Sequence, residues 1–211
     1  MAIYTEEKAE KLLSKYVPVA KSVLTKTPID GIAATRKIKL PVVLKLISSK
    51  ALHKTEVNGV RIVKDLDELR AAYGDFYKTC KKKKIPFDGV LMQEFIKGEE
   101  VIIGINKDPT FGHVIAFGTG GKYVEILKDI AFRSCPITLK DAQDMIDEIK
   151  MRKLLYGFRG SKPVNINLLK KTLVAVSQIP KKYKGIEELD INPFIINDKI
   201  GKVADARIIT K

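Results

Sequence analysis

The stretch ELDINPFIINDKIGKVADAR, residues 188–207, alternates polar and apolar side chains, turns, and comes back. Residues two apart on a strand share a face, so Asp190 and Asn192 project together while Leu189, Ile191 and Pro193 face the other way. The Asn197-Asp198 pair marks the turn between two strands. Asp205 follows Asn192 by thirteen positions, between Ala204 and Ala206 on the return limb. An antiparallel hairpin brings it beside the first pair. Three oxygen-bearing side chains on one patch suit a hard cation such as magnesium, with phosphate oxygens completing its shell. The same residues also read as the polar surface of an ordinary hairpin.

Outward from this hairpin, helical and strand periods alternate. Thr5 before Glu6 and Glu7 starts a helix ending near Tyr16, and VPVAKSVL (17–24) reads as a short strand. Asp30 to Ile38 reads as a second helix. PVVLKLIS (41–48) is continuously apolar apart from Lys45, as a buried strand would be. Asp65 and Glu68 open a helix carrying Leu69, Ala72, Tyr73, Phe76, Tyr77 and Cys80, closed by Lys81 to Lys84 at the negative end of its dipole. From Gly89 onward GVLMQEFI, EEVIIGINK, HVIAFGT and KYVEILKDIAF read as an antiparallel meander. Thr138 with Asp141 caps a further helix, GFRGSKP (157–163) breaks it, and Asn165 begins another. The expected class is α+β, in one module with approximate lobes of residues 1–88 and 89–211.

Composition narrows the function. The 211 residues include 39 Lys+Arg against 25 Asp+Glu, a formal charge of +14. That field attracts polyanions: nucleotides, phosphorylated cofactors, nucleic acid or an acidic partner. Hydrophobic content of 45% is that of a globular chain, and the Lys-rich, Trp-free composition suits a heat-adapted protein. Cys80 and Cys135 form no CxxC, which points to a reducing compartment. MAIYTEEKAEKLLSKY lacks the apolar core of a signal peptide, and no apolar run is long enough to cross a membrane. The expectation is a soluble, cytoplasmic protein.

Four further features can carry chemistry. Lys45, an ammonium inside an apolar strand, requires an anion: a ligand phosphate or a structural carboxylate. LMQEFIKGEEVIIG places Gln93, Glu94, Gly98, Glu99 and Glu100 between two strands, where backbone groups can meet a purine edge and a carboxylate a ribose. Gly118, Gly120 and Gly121 in FGTGGK let backbone approach a phosphate, although the run is not a GxxxxGK[ST] loop. His53, in ALHKTEVNGV (51–60), is one of only two histidines. By itself it reads as a loop residue before an Asn-Gly turn. The other, His113, reads as a strand-start residue.

PVVLKLIS, LHKTEVNGV, GVLMQEFIKGEEVIIGINKDPTFG, FGTGGKYVEILKDIAFRSCPI, GFRG and ELDINPF…VADAR occur in an order that spans nearly the whole chain. In that order they resemble the nucleotide-binding (beta) subunit of the ADP-forming acyl-CoA synthetases, ATP-grasp relatives of succinyl-CoA synthetase. The resemblance implies an ATP-grasp fold of two α+β lobes clasping a nucleotide. It implies that Lys45 holds nucleotide phosphates and that Gln93, Glu94, Phe95 and Ile96 line the adenine. Glu100 matches the acidic residue of a GxE motif, and Gly120 with Gly121 the phosphate-side turn. Asn192 and Asp205 match ligands of Mg2+, with ATP or ADP as substrate. His53 matches a phosphoryl relay, its imidazole oriented by Asp190. Arg133 falls where the family has a basic residue of less clear role. The resemblance further implies a separate alpha subunit with the CoA-binding and acyl-phosphate-forming regions, two copies of each subunit, and no membrane partner. The chain departs from the family at Asn58-Gly59, commonly two glycines, and at His113, commonly proline.

Two other readings stand beside this one. A stand-alone ATP-grasp carboxylate ligase would use Lys45, Asn192 and Asp205 without needing His53. A non-enzymatic nucleic-acid binder would account for +14, but the charge is dispersed and no RNP, zinc-finger or helix-turn-helix pattern stands out.

Overall fold

In a computed structural model of the chain the described residues are 2–49, 59–120 and 129–211. They form two compact units, Ala20–Phe95 and Met1–Val19 with Ile96–Lys211. The expected boundary at 88/89 differs from this at both ends. Strand β1 (Ala2–Ile3) pairs with the last strand, β11 (Ala206–Thr210), so the N-terminus belongs with the C-terminal residues. Helix α1 (Glu6–Leu13), capped by Thr5 as expected, follows it there and buries Ala9, Leu12 and Leu13.

The division at residue 20 also splits the expected strand 17–24. Only Ser22–Thr25 (β2) is a strand. Pro18 lacks an N–H to give a ladder. Its carbonyl instead accepts from Val203 N–H at 2.9 Å, while Val19 bridges to Val203.

In the unit Ala20–Phe95, β3 (Val42–Ile47), β4 (Val60–Val63) and β5 (Gly89–Glu94) complete an antiparallel sheet in the order β2-β5-β3-β4. Thus β5 leaves the expected meander and joins the first sheet. Helices α2 (Pro28–Ala34) and α3 (Leu66–Lys83) supply the rest of this unit's core. Helix α2 starts earlier than residue 30: Thr27 is the cap, Pro28 opens the first turn, and Asp30 closes a capping box. Leu69, Ala72, Tyr73, Phe76 and Cys80 of α3 are buried against Val42, Leu44, Leu46, Val90 and Met92. Tyr77, expected on that stripe, is exposed.

In the other unit the sheet runs β1-β11-β9-β6-β7-β8, with β10 also on β9. These are β6 (Glu99–Asp108), β7 (Gly112–Thr119), β8 (Ile130–Ser134), β9 (Ile186–Ile196) and β10 (Gly201–Val203). The meander is therefore β6-β7-β8. Helices α4 (Leu139–Glu148), α5 (Arg152–Leu155), α6 (Ile166–Ser177) and α7 (Ile179–Lys182) follow β8 in the chain. Thr138 and Asp141 make both halves of a capping box, and Asn165 caps α6. Val101, Ile103, Ile105, Phe117, Ile191 and Phe194 share one core with Met145, Ile146, Leu169 and Leu173. Apolar alternation on the strands and helical spacing on the helices thus bury the same side of this sheet.

Candidate functional site

Within Ala20–Phe95 the strand registers show what accompanies Lys45. It pairs with Leu91 on one side and Val60 on the other, and Leu91 pairs with Leu24. Opposed residues of antiparallel strands point the same way, so these four form a row on the face turned away from α2 and α3. The next row is Ser22, Gln93, Val43 and Ile62. Lys45 and Gln93 are diagonal neighbours, with Cβ atoms roughly 7–8 Å apart or less. Both are buried, at 6% and 1% exposure, while Leu24, Val60 and Ile62 of the same two rows are exposed. A cation and an amide set among aliphatic side chains suit a flat heteroaromatic base with a phosphate tail.

Alternation puts Glu94 on the opposite face from Gln93. Its Oε1 accepts from Lys21 N–H at 2.6 Å, which ties the end of β5 to the start of β2. Phe95 is the last residue of this unit and Ile96 the first residue after it. Of the expected quartet 93–96, Gln93 therefore shares a face with Lys45 and Glu94 does not. His53 lies outside the described residues, as do Asn58 and Gly121.

In the other unit the hairpin built from residues 188–207 is present, with its return limb divided into β10 and β11. Asn192 N–H donates to the Asp205 carbonyl at 3.1 Å, and Ala204 N–H to that of Pro193 at 3.0 Å. Asp205 is thus opposite Asn192, as the spacing predicts. One detail differs. The pairing of β9 with β6 shifts between Val101/Phe194 and Ile103/Ile191, leaving an extra residue on β9 at Asn192-Pro193. That bulge moves the core phase from Leu189 and Ile191 to Phe194 and Ile196, so Pro193 is not a core residue. Asn192 is exposed on the bulge.

The registers extend this patch across the sheet. Asp190 is opposed by Arg207 on β11 and Gly104 on β6. Gly104 is opposed by Ala116 on β7, and Ala116 by Phe132 on β8. Gly104 and Ala116 have the smallest side chains of the row and leave a trough between Asp190 and Phe132. An open groove of about 740 Å³ follows it, lined by Ile102, Gly104, Ala116, Phe132, Glu188 and Asp190 among others. The sequence reading missed this floor. Its only signal was a glycine inside the strand EEVIIGINK, which often marks close approach of a ligand or backbone.

Glu100 lies on the same face, and its carbonyl accepts from Gly120 N–H at 2.7 Å. A Cβ on Gly120 would fall 2.9 Å from that carbonyl's carbon and oxygen, so only glycine fits there. Past the glycine-rich turn, Asp129 is buried, and its two carboxylate oxygens accept from Lys150 N–H at 2.7 Å and Met151 N–H at 2.8 Å. Gly120 and Asp129 are thus each anchored, one on β6 and one on the α4–α5 junction. Arg133 has a structural occupation: its guanidinium binds Glu148 of α4 at 2.8 Å and the Phe132 carbonyl at 2.7 Å. His113 is a strand residue, as expected, with Nε2 2.8 Å from the Ile186 carbonyl oxygen.

Burial, with Glu188 and Asp205 nearby, holds the Asp190 carboxyl above the usual carboxylate range, against the opposing pull of Arg207. Arg207 is itself clamped by Glu188 at 2.6 Å. With its folded-state pKa raised, Asp190 binds its proton more tightly in the folded chain. Folding stability therefore falls as pH rises from the ordinary carboxylate value through the raised one. Asp190→Asn removes that penalty. In EDTA at pH 7 the variant is expected to melt above the parent, with the gap closing by pH 3; scanning calorimetry at both pH values checks this.

Asn192, exposed on the bulge, and the half-buried Asp205 opposite it supply two neighbouring oxygen donors, which fits a hard cation that keeps other ligands from phosphate or water. Among the described residues no group of three or more His, Cys, Asp or Glu is placed to hold a metal. Both cysteines are free, and among the described residues no helix is long and apolar enough to cross a membrane.

Comparison with known proteins gives this arrangement a lineage. A family model described as an ATP-grasp domain matches residues 2–210. The acetate–CoA ligase [ADP-forming] II subunit beta of Pyrococcus furiosus is 40% identical over 215 residues, covering 98% of this chain and 91% of that protein. The 4-hydroxybutyrate–CoA ligase [ADP-forming] of Nitrosopumilus maritimus is 42% identical, but the chain spans only 30% of its length. A dinucleotide-forming acetyl-coenzyme A synthetase 1 of Ca. Korarchaeum cryptofilum, solved with coenzyme A and Ca-AMPCP, superposes with a TM-score of 0.92 at 39% identity, covering 99% of this chain and 93% of that one. The same enzyme was solved with Mg-AMPPCP and its phosphohistidine segment pointing towards the nucleotide-binding site (TM-score 0.86, 38% identity, coverage 99% and 93%). With residues 2–210 matched and both sheets in place, the chain belongs to the ATP-grasp family, among the ADP-forming acetate–CoA ligase beta subunits.

Proposed function

We propose that the chain is the nucleotide-binding subunit of an ADP-forming acyl-CoA synthetase, working in the direction acyl-CoA, ADP and phosphate to acid, ATP and CoA. The observation that carries this is the bond from Asn192 N–H to the Asp205 carbonyl. It sets two oxygen donors side by side, Asn192 on the strand that presents Asp190 to the groove and Asp205 on the facing limb.

Lys45 binds the nucleotide phosphates, and Gln93 with its aliphatic neighbours receives the base, next to Phe95 and Ile96 in the chain. We assign Glu100, Gly120 and Gly121 to the nucleotide phosphates, as the resemblance implies. Asn192 and Asp205 would hold Mg2+, which when bound offsets negative charge on phosphoryl oxygens. His53 takes the phosphoryl group from a histidine of the partner: a neutral ring nitrogen attacks phosphorus as the partner's N–P bond breaks. Asp190 accepts the N–H of the other ring nitrogen and so holds the tautomer. An oxygen of the ADP β-phosphate then attacks, the His53 N–P bond breaks, and the imidazole returns neutral. The relative that this chain covers to 91% is named a subunit, which supports a separate partner carrying the CoA-binding region. We place the complex, with two copies of each subunit, in the cytoplasm.

The test is direct. The complex is purified, given acyl-CoA, phosphate and magnesium without ADP, and digested at neutral pH for mass spectrometry. Acid-labile phosphate is expected on His53. ATP made on later ADP addition, with no phosphate ever on His53, sinks the relay; no ATP at all sinks the proposed reaction.

A further inference from the structure

GFRGSKP, residues 157–163, has no part in the chemistry above, yet it gathers three positive-φ residues within four positions. Gly157, Arg159 and Gly160 all have positive φ, at 93°, 50° and 85°. Two of these are glycines, for which the conformation is ordinary. Arg159 is not, and the only other described non-glycine residue with positive φ, Lys84, ends a helix. Glycine or asparagine would occupy position 159 at lower steric cost. An arginine held there points to a use for its side chain.

The loop is tightly built. Ser161 Oγ donates to the Phe158 carbonyl and accepts from Phe158 N–H, each at 2.9 Å, and Ser161 N–H donates to the same carbonyl at 3.1 Å. A Cβ on Gly157 would fall 2.7 Å from the Ser161 carbonyl oxygen. At the base, Val164 N–H bonds Leu155 at 2.9 Å and Asn165 N–H bonds Asn197 at 2.9 Å. Residues 158–163 are all exposed, Phe158 to 46%, so this hydrogen-bonded loop presents its tip to solvent. The Arg159 guanidinium lies over the Phe158 ring, 5.3 Å from its centroid.

The surrounding charge has one sign. Residues 150–162, KMRKLLYGFRGSK, hold five basic side chains and no acidic one. Lys150, Arg152, Lys153, Arg159 and Lys162 are all exposed, with Tyr156 among them. Nearby acids are already engaged: Asp147 accepts from Tyr156 Oη and Gln143, and Asp198 faces Lys162 at 3.7 Å. Arginine and aromatic side chains are the residues that anchor protein interfaces, and a loop already ordered loses little freedom on docking. A convex tip does not cradle a phosphate; it enters a recess.

We infer that the Phe158–Arg159 tip docks into an acidic recess on the CoA-binding partner subunit, with the cations of residues 150–162 facing its acidic rim. The identity of that partner rests on the function proposed above; the docking surface does not. The test uses the full chain co-expressed with the CoA-binding subunit, with three variants. Arg159→Gly keeps the backbone conformation and removes the side chain, Phe158→Ala removes the ring, and Arg159→Glu reverses the charge. Subunit affinity is expected to fall at least about tenfold for the first two and further for the third. The melting temperature of the isolated chain should not fall below the parent's and its ADP affinity should stay as in the parent, and the salt dependence of assembly should flatten in Arg159→Gly. Parental assembly by Arg159→Gly and Arg159→Glu overturns the inference. So does Arg159-dependent binding of a uridine 20-mer with assembly unchanged, which would make the tip an RNA contact. The wild-type complex separates the two failures. If it forms through Arg159 but makes no ATP, the reaction falls and the docking stands. If it makes ATP and is indifferent to Arg159, the docking falls alone.

Discussion

His53→Ala is expected to lower ATP formation by the assembled complex at least about 10³-fold, the scale of removing a covalent nucleophile. ADP affinity should change less than about twofold, since the phosphate and base contacts proposed here are made by other residues. Titration calorimetry with ADP and a coupled ATP assay on one preparation give both numbers. A relay histidine is chemically distinct from a binding histidine, because the variant still fills with nucleotide and cannot turn over. His53→Gln should not restore the rate, because an amide can hydrogen-bond but cannot carry phosphate. A parental rate in the His53→Ala variant would move the transfer directly between partner and ADP.

Lys45→Met is the second large effect, and it falls on binding. Methionine keeps the length of the side chain between Leu91 and Val60 while deleting the ammonium. A charge-assisted contact to phosphate is worth about 1.5–3 kcal/mol, so ADP should bind roughly 10- to 150-fold more weakly. Adenosine, which lacks the phosphates, should bind the variant as it binds the parent. The two titrations together test where on the nucleotide Lys45 acts. Equal loss for both ligands would make Lys45 a support of the sheet face and not a phosphate contact.

Much of this molecule was legible in its residues. Caps at Thr5, Asp65, Thr138 and Asn165 are short-range hydrogen-bonding devices, and each stands where the sequence puts it. Alternation of two and spacing of 3.6 identify which side chains turn inward, because burial is decided residue by residue. The pairing of Asn192 with Asp205 was legible for the same reason: a turn at Asn197-Asp198 sets the register of everything it joins.

Other features had no local signature. Strand β5 looks like its neighbours in sequence but pairs with β2 and β3, because sheet membership depends on partners distant along the chain. The bulge at Asn192-Pro193 exists only relative to β6, and the trough over Gly104 and Ala116 only when four strands lie side by side. Arg159 reads as a loop residue until its φ is known.

The chemical inventory could be read from the residues alone: a lysine in an apolar strand, a histidine before an Asn-Gly pair, oxygen donors on a hairpin, and motifs in family order. Which of these share a surface came from the fold. It put Lys45 with Gln93 and away from Glu94, and Asp190 with Phe132 across a groove. The reason is physical: local hydrogen bonds and side-chain periods are properties of short segments, whereas a shared face is a property of strand register between segments far apart in the chain.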